Sequence, residues 1–418
     1  MTRTHLLLTL LAPLALGACG DKDTTGPLKV PELEYGVDQP WPAPASLPPI
    51  GPAGRIVITN NLDDTLSLLD LDTMGSPGWG ELARIPVGLN PVELEGPHHA
   101  TVSPDGTSYY VGISNYVPGS GSGPHGTHGA GTSDGYCLKL DSSTNRLIGS
   151  VRVDPNPGDV ILSQDGRTLY QTHFDLLKIG EVAQRGGTEA EMYSRLAILD
   201  AETMTRKQMI PVCPAPHAVR LSPDGRRAFI ACWSDEVAIV ELEQAGYPVT
   251  RVKVAPNAGS AVSPRHEPYA LTVSPTTGGV WVSSLASRSV QYLDPETLTM
   301  DPSRTVTLQN GSPMFGDFTA DGRTLYMPYQ RVEAIAIIDP AMAGPGYIPP
   351  EIPLAPSGCL NVHQVELTPD ERHALVVCEG DHVGPGTLHV VDLAERKVVK
   401  TVQVGIFPDS VALLRRQP

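Results

Sequence analysis

Residues 216–232 read PHAVRLSPDGRRAFIAC, and this stretch holds the unit from which most of the chain is built. Pro216 opens it, two entrance residues follow, and an apolar strand runs to Leu221. Ser222-Pro223-Asp224-Gly225 then turns the chain into a second apolar strand that ends at Cys232. Proline presets φ, aspartate bonds to its own backbone and glycine accepts a positive φ, so the tetrapeptide is a turn with a physical cause. It recurs as Ser103-Pro104-Asp105-Gly106, Ser163-Gln164-Asp165-Gly166, Ser274-Pro275, Thr319-Ala320-Asp321-Gly322 and Thr368-Pro369-Asp370-Glu371. Successive copies lie 60, 59, 52, 45 and 49 residues apart. Six residues before each stands Pro97, Pro157, Pro216, Pro268, Pro313 or, once, Val362, and Pro408 starts the pattern again near the C-terminus.

A second signature follows, an alternating strand that ends in an acid. It occurs seven times, at Leu68-Leu69-Asp70, Lys139-Leu140-Asp141, Ile198-Leu199-Asp200, Ile239-Val240-Glu241, Tyr292-Leu293-Asp294, Ile337-Ile338-Asp339 and Val390-Val391-Asp392. The first copy has no turn unit before it, and the last turn unit has no strands after it. Two incomplete ends that complete one another imply a closed ring. The expected fold is all-β: a seven-bladed β-propeller of four-stranded blades, at about 52 residues per blade. Its closing blade takes the inner strand from the C-terminus and the outer three strands from residues 55–88. The repeated acids read as turn formers.

The segment Ile56-Val57-Ile58-Thr59-Asn60-Asn61 with Thr65-Leu66-Ser67-Leu68-Leu69-Asp70 resembles the YVTN-type bacterial propeller repeat. The resemblance covers residues 54–418 and implies the propeller fold. It groups the chain with the haem-binding propeller of dissimilatory nitrite reductase and the copper propeller of nitrous oxide reductase, whose channel mouth also carries histidines. The second copper domain of the latter has no counterpart here. A fold of this kind hosts many functions, so the resemblance implies little about activity.

Composition narrows the partners. The 418 residues are 40% hydrophobic and 18% charged, with 41 prolines and a formal charge of -16. Such a proline content opposes a helical protein, and the acidic balance without any basic cluster opposes nucleic-acid binding. At the N-terminus, Arg3 and His5 precede the apolar run 6–16, which is too short to span a bilayer. Leu16-Gly17-Ala18-Cys19 then resembles the lipobox of bacterial lipoproteins, which implies cleavage after residue 18 and acylation of Cys19. Residues 20–53 carry eight prolines and read as a semi-extended tether. The expected organisation is therefore a signal peptide at 1–18, a lipidated tether at 19–53 and the propeller at 54–418. This places a monomer in the bacterial cell envelope, on the outer membrane or the periplasmic face, bound to the membrane only by its anchor.

In a propeller the start of each inner strand is where side chains reach the axis. Aligned on the proline, the first position around the ring reads His98, Gly158, His217, Tyr269, Met314, His363, Asp409, and the second reads His99, Asp159, Ala218, Ala270, Phe315, Gln364, Ser410. His98, His217 and His363 are nearly evenly spaced and could converge on a transition metal, with Asp409, Met314 or His99 as further ligands. Imidazole with thioether would suit copper. They could equally pack between blades or bond loop carbonyls. A third possibility is hydrolase or lactonase activity, as in other propellers, which would want a carboxylate-ringed calcium with Asp159, Asp317 and Asp409 as candidates, although a ring of histidine and methionine suits it poorly. Long insertions at the same end (115–135 with His125 and His128, 175–194, and 254–267) make that face the expected binding surface, for an envelope protein or a small ligand.

Cys213-x3-His217-x14-Cys232 and Cys359-x3-His363-x14-Cys378 share one spacing. In an exported protein this predicts disulfides 213–232 and 359–378, each beside an entrance histidine, with joint thiolate and imidazole metal ligation as the competing possibility. Cys137 is left as a free buried thiol. Gly131-Thr132-Ser133-Asp134-Gly135 fits G-x-S-x-G but lacks the strand-to-helix elbow that makes such a serine nucleophilic. No catalytic constellation emerges, and the expectation is a binding protein, with a copper-type metal protein or oxidoreductase as the alternative.

Overall fold

The computed structural model describes residues 47–88, 95–115, 131 and 133–415. Seven antiparallel sheets stand around one axis. The first four have inner strands Glu95–Val102, Pro157–Leu162, Pro216–Leu221 and Pro268–Val273. In the fifth the inner edge is divided into Ser312–Pro313 and Asp317–Phe318, both paired to Leu325–Gln330. The sixth begins with Val362–Leu367 and the seventh with Pro408–Leu414.

The ring closes as the sequence requires. Pro408–Leu414 pairs with Arg55–Asn60, which pairs in turn with Thr65–Asp70 and then Ala83–Pro86. The closing register sets Arg55 against Leu414 and Asn60 against Pro408. Side chains of successive strands interdigitate between neighbouring sheets, so each core cluster is shared by adjacent blades. Ile56, Ile58 and Val411 of the closing blade pack with Leu375, Leu388 and Val404 of the sixth, for example. Residues before the first strand also lie on this body: the Arg55 guanidinium donates to the Pro48 carbonyl at 2.7 Å, and Leu47 packs against the cluster of Val57 and Leu66.

The repeated turns close as their composition predicts. In the first, the Ser103 hydroxyl donates to Asp105 Oδ1 at 2.6 Å and the Thr107 amide donates to the same oxygen at 3.0 Å. Gly106 takes φ +67°, where a Cβ would be strained. The insertion after the second strand of blade two folds into the helix Leu176–Gln184, capped by Asp175 accepting from the Lys178 amide at 3.0 Å. Among the described residues, no helix is long and apolar enough to cross a membrane.

Candidate functional site

In five blades the residue that opens the repeat unit, a proline or Val362, is followed by a register shift. It falls between Pro97 and Ala100, Pro157 and Val160, Pro216 and Val219, Pro268 and Ala270, and Val362 and Gln364. The closing blade shifts between Ile58 and Asn60, opposite Pro408. Strict alternation would send neighbouring residues to opposite faces. A bulge re-aims them, and here it brings first- and second-position side chains into one cluster.

A ring of hydrogen bonds explains the residues at the first position. Thr59 of the closing blade donates to the His98 carbonyl at 2.5 Å, and His98 Nδ1 meets the Gly158 carbonyl of the next blade at 2.8 Å. Thr172 donates to the His217 carbonyl, and His217 Nδ1 lies 3.2 Å from the Tyr269 carbonyl. Ser283 donates to the Met314 carbonyl at 2.8 Å, and the Phe315 amide donates to the His363 carbonyl at 3.1 Å. His363 Nδ1 meets the Asp409 carbonyl and completes the circuit. All seven blade junctions are thus latched at the same carbonyl, by an imidazole where the first position is histidine and otherwise by a strand hydroxyl or a main-chain amide. A carbonyl only accepts, so the three Nδ1 atoms carry hydrogen and each Nε2 of a neutral ring is left as an acceptor.

The cluster fills the axis. His98, His99, Asp159, His217, Tyr269, Phe315, His363 and Asp409 are each no more than 3% exposed. Ring centroids stand 4.6 Å apart for His98 and His99, 5.1 Å for His98 and His217, 4.7 Å for His99 and Phe315, and 5.4 Å for Phe315 and His363. Tyr269 stacks on His217 at 3.6 Å. Asp159 Oδ1 lies 3.1 Å from His99 Nδ1, while its Oδ2 accepts from the Val219 amide at 3.0 Å and from Arg220. Burial works to raise the Asp159 pKa, but Arg220, His99 and the amide outweigh it and hold the carboxyl well below the usual range. Asp409 Oδ2 lies 3.1 Å from His98 Nε2 and accepts from the Asn61 side-chain Nδ2 at 3.0 Å. Burial pushes the Asp409 carboxyl well above its ordinary range against the pull of Asn61, and the Asp159 charge adds to the rise.

The candidates divide accordingly. Among the described residues, two groups of three possible ligands have donor atoms within 4.8 Å of one another: His98, His99 and His217, and Cys359, Cys378 and His389. The second is spent, because Cys359–Cys378 is a disulfide, as is Cys213–Cys232. His363 joins the aromatic cluster but not the triad. Met314 is buried in the apolar cluster with Phe174 and Tyr269. Asp159, Asp317 and Asp409 belong to neither group, and Asp317 instead accepts from the Leu367 and Phe318 amides. Cys137 is free and buried, and burial pushes its thiol up. Cys19, His125 and His128 lie outside the described residues.

Further along the axis the fourth positions Arg220, Asp317 and Glu366 are partly open to solvent. Burial pushes the Asp317 carboxyl up to about 6, and burial with the Asp317 charge pushes Glu366 well above its ordinary range. A carboxyl whose folded pKa is raised contributes stability below its unfolded pKa and loses it as pH rises through the folded value. Glu366→Gln is therefore expected to melt about 1–3 °C above the parent at pH 8. The two melting curves should merge below pH 4.5. A variant less stable than the parent at pH 8 would contradict the direction.

No protein-family model and no curated protein matches the chain. Solved structures do. The periplasmic gluconolactonase PpgL of Pseudomonas aeruginosa superposes with TM-score 0.60 at 18% identity, over 87% of this chain and 99% of that one. A functionally unknown protein from Desulfotomaculum acetoxidans DSM 771 gives 0.62 at 14%, over 87% and 99%. The dihydro-heme d1 dehydrogenase NirN, in complex with DHE, gives 0.53 at 17%, over 91% and 80%. At these identities the likeness concerns the fold alone, and the seven blades are read from this chain's own sheets.

Proposed function

We propose that this chain is an exported, lipid-anchored propeller of YVTN type that holds a partner protein of the bacterial envelope on the loop-rich end of its channel. The observation that carries this is the form of that end. Among the described residues, the aromatic and imidazole side chains of the channel entrance lie in contact with one another. Around it Leu177, on the inserted helix, and Val262, Leu360 and Val383, on loops, stand exposed in segments between second and third strands or between blades. Val262 and Val383 are 58% and 81% exposed. Apolar side chains presented on elaborated loops suit a protein surface. The lipobox-like Leu16-Gly17-Ala18-Cys19 and the proline-rich segment after it support export and anchoring.

A photo-crosslinking amino acid placed at Val262 or Val383 is expected to give a discrete adduct in the producing bacterium. The same residue at Met342 or Ile348, exposed at the other end of the blades, should give none. Equal adducts from both ends, or none from either, would overturn the assignment of the face. In the same cells an alkyne analogue of palmitate is expected to label the parent chain and not Cys19→Ala, and an unlabelled parent would remove the anchor from the proposal.

A further inference from the structure

We infer that His98, His99 and His217 form a binding site for one divalent transition-metal ion on the propeller axis. The site is separate from the loop surface proposed for a partner. Three observations support it. The first is convergence: one ring nitrogen from each residue lies within 4.8 Å of the others, and all three residues are buried.

The second is orientation. His98 and His217 give Nδ1 to the carbonyls of Gly158 and Tyr269, and His99 Nδ1 faces the carboxylate of Asp159. Metal-binding histidines are held in this way, with the second ring nitrogen tied to a carbonyl or carboxylate that fixes the tautomer and leaves Nε2 for the ion. Asp159 in turn is fixed by Arg220 and the Val219 amide, so the support extends one layer further.

The third is what the nitrogens meet. His99 Nε2 is buried and has no hydrogen-bond partner, a costly arrangement for an acceptor sealed from water. His98 Nε2 faces Asp409 Oδ2 at 3.1 Å, so a carboxyl oxygen stands beside the ligand nitrogens. An ion bound there would give His99 Nε2 the partner it lacks.

Imidazole nitrogen with a nearby carboxylate selects zinc or copper(II) over calcium or magnesium, which prefer oxygen. An ion about 2.1 Å from each nitrogen sets tetrahedral ligands roughly 3.4 Å apart, so binding draws the rings inward by small side-chain rotations. The sequence-based triad of His98, His217 and His363 therefore becomes His98, His99 and His217, with His363 serving as a blade latch.

The test uses the full chain, detergent-extracted with its anchor and without a histidine tag, stripped by chelator and offered Zn²⁺ or Cu²⁺ before desalting. Mass spectrometry is expected to find about one equivalent, and the copper form should show three coupled nitrogens by electron paramagnetic resonance. His99→Gln is the decisive variant, because His99 takes no part in the seven-bond ring and the blades stay latched without it. It should retain at least about tenfold less metal while melting cooperatively. His389→Gln, at the other three-ligand group, should retain metal as the parent does. Parent protein that keeps neither ion, or equal retention in His99→Gln, would overturn the site. Crosslinks from Val262 and Val383 do not depend on the ion, so their loss would refute the partner and leave the metal site standing.

Discussion

A chain that ends at Phe407 is expected not to fold. Every residue of Pro408–Leu414 is buried, and this strand is the inner edge of the closing blade. Val411 and Leu413 fill the cluster shared with the sixth blade, and Leu414 fills the one shared with the first. Those three side chains alone contribute about 6 kcal/mol of burial, within the range of about 5–15 kcal/mol that is the whole net stability of a typical protein. The truncation also removes the carbonyl that His363 grips and the Ser410 hydroxyl that meets Thr59 Oγ1 and the Ala100 amide. The ring is opened at its axis as well as at its edge. Circular dichroism and gel filtration should show loss of the cooperative melt and aggregation. A truncated chain melting within a few degrees of the parent would mean that the closure carries little stability.

Asp159→Ala is expected to cost the most of any single substitution at the axis. The carboxylate is buried and joins blade two to blade three through the Val219 amide and Arg220, while it also orients His99. Removing one member of a buried ion pair leaves the other without compensation. Arg220 retains partial exposure and a bond to the Val219 carbonyl, which reduces the penalty. A loss of about 3 kcal/mol corresponds to roughly a 4 °C fall in Tm for a body of this size. Adding Arg220→Leu should recover part of it, since the stranded charge is then gone. A single variant melting within about 1 °C of the parent, against the fall just given, would refute the structural role of the pair.

The blades, their closure and both disulfides were legible because each rests on a spacing that repeats. The pairing of residues 55–60 with the C-terminus follows from two fragments that complete one unit, and Cys213–Cys232 and Cys359–Cys378 follow from one interval used twice. The site was legible only in outline. The first positions were visible, but not why three of them are histidine: the junctions without one are served by Thr59, Thr172, Ser283 or the Phe315 amide. A hydroxyl on a strand is too common to stand out, and a main-chain donor leaves no trace in sequence. His99 sits beside His98, where strand alternation would part them, and the bulge that reunites them lies in backbone geometry.

The closing blade also decides how the protein bears mechanical load. Arg55–Asn60 lies between two antiparallel neighbours, Thr65–Asp70 on one side and Pro408–Leu414 on the other. A pull transmitted from the N-terminal side runs along this strand, so both ladders of hydrogen bonds are sheared together and none is unzipped singly. Tension applied along that strand would therefore be shared by both ladders, so the first and last strands of the fold would carry it together.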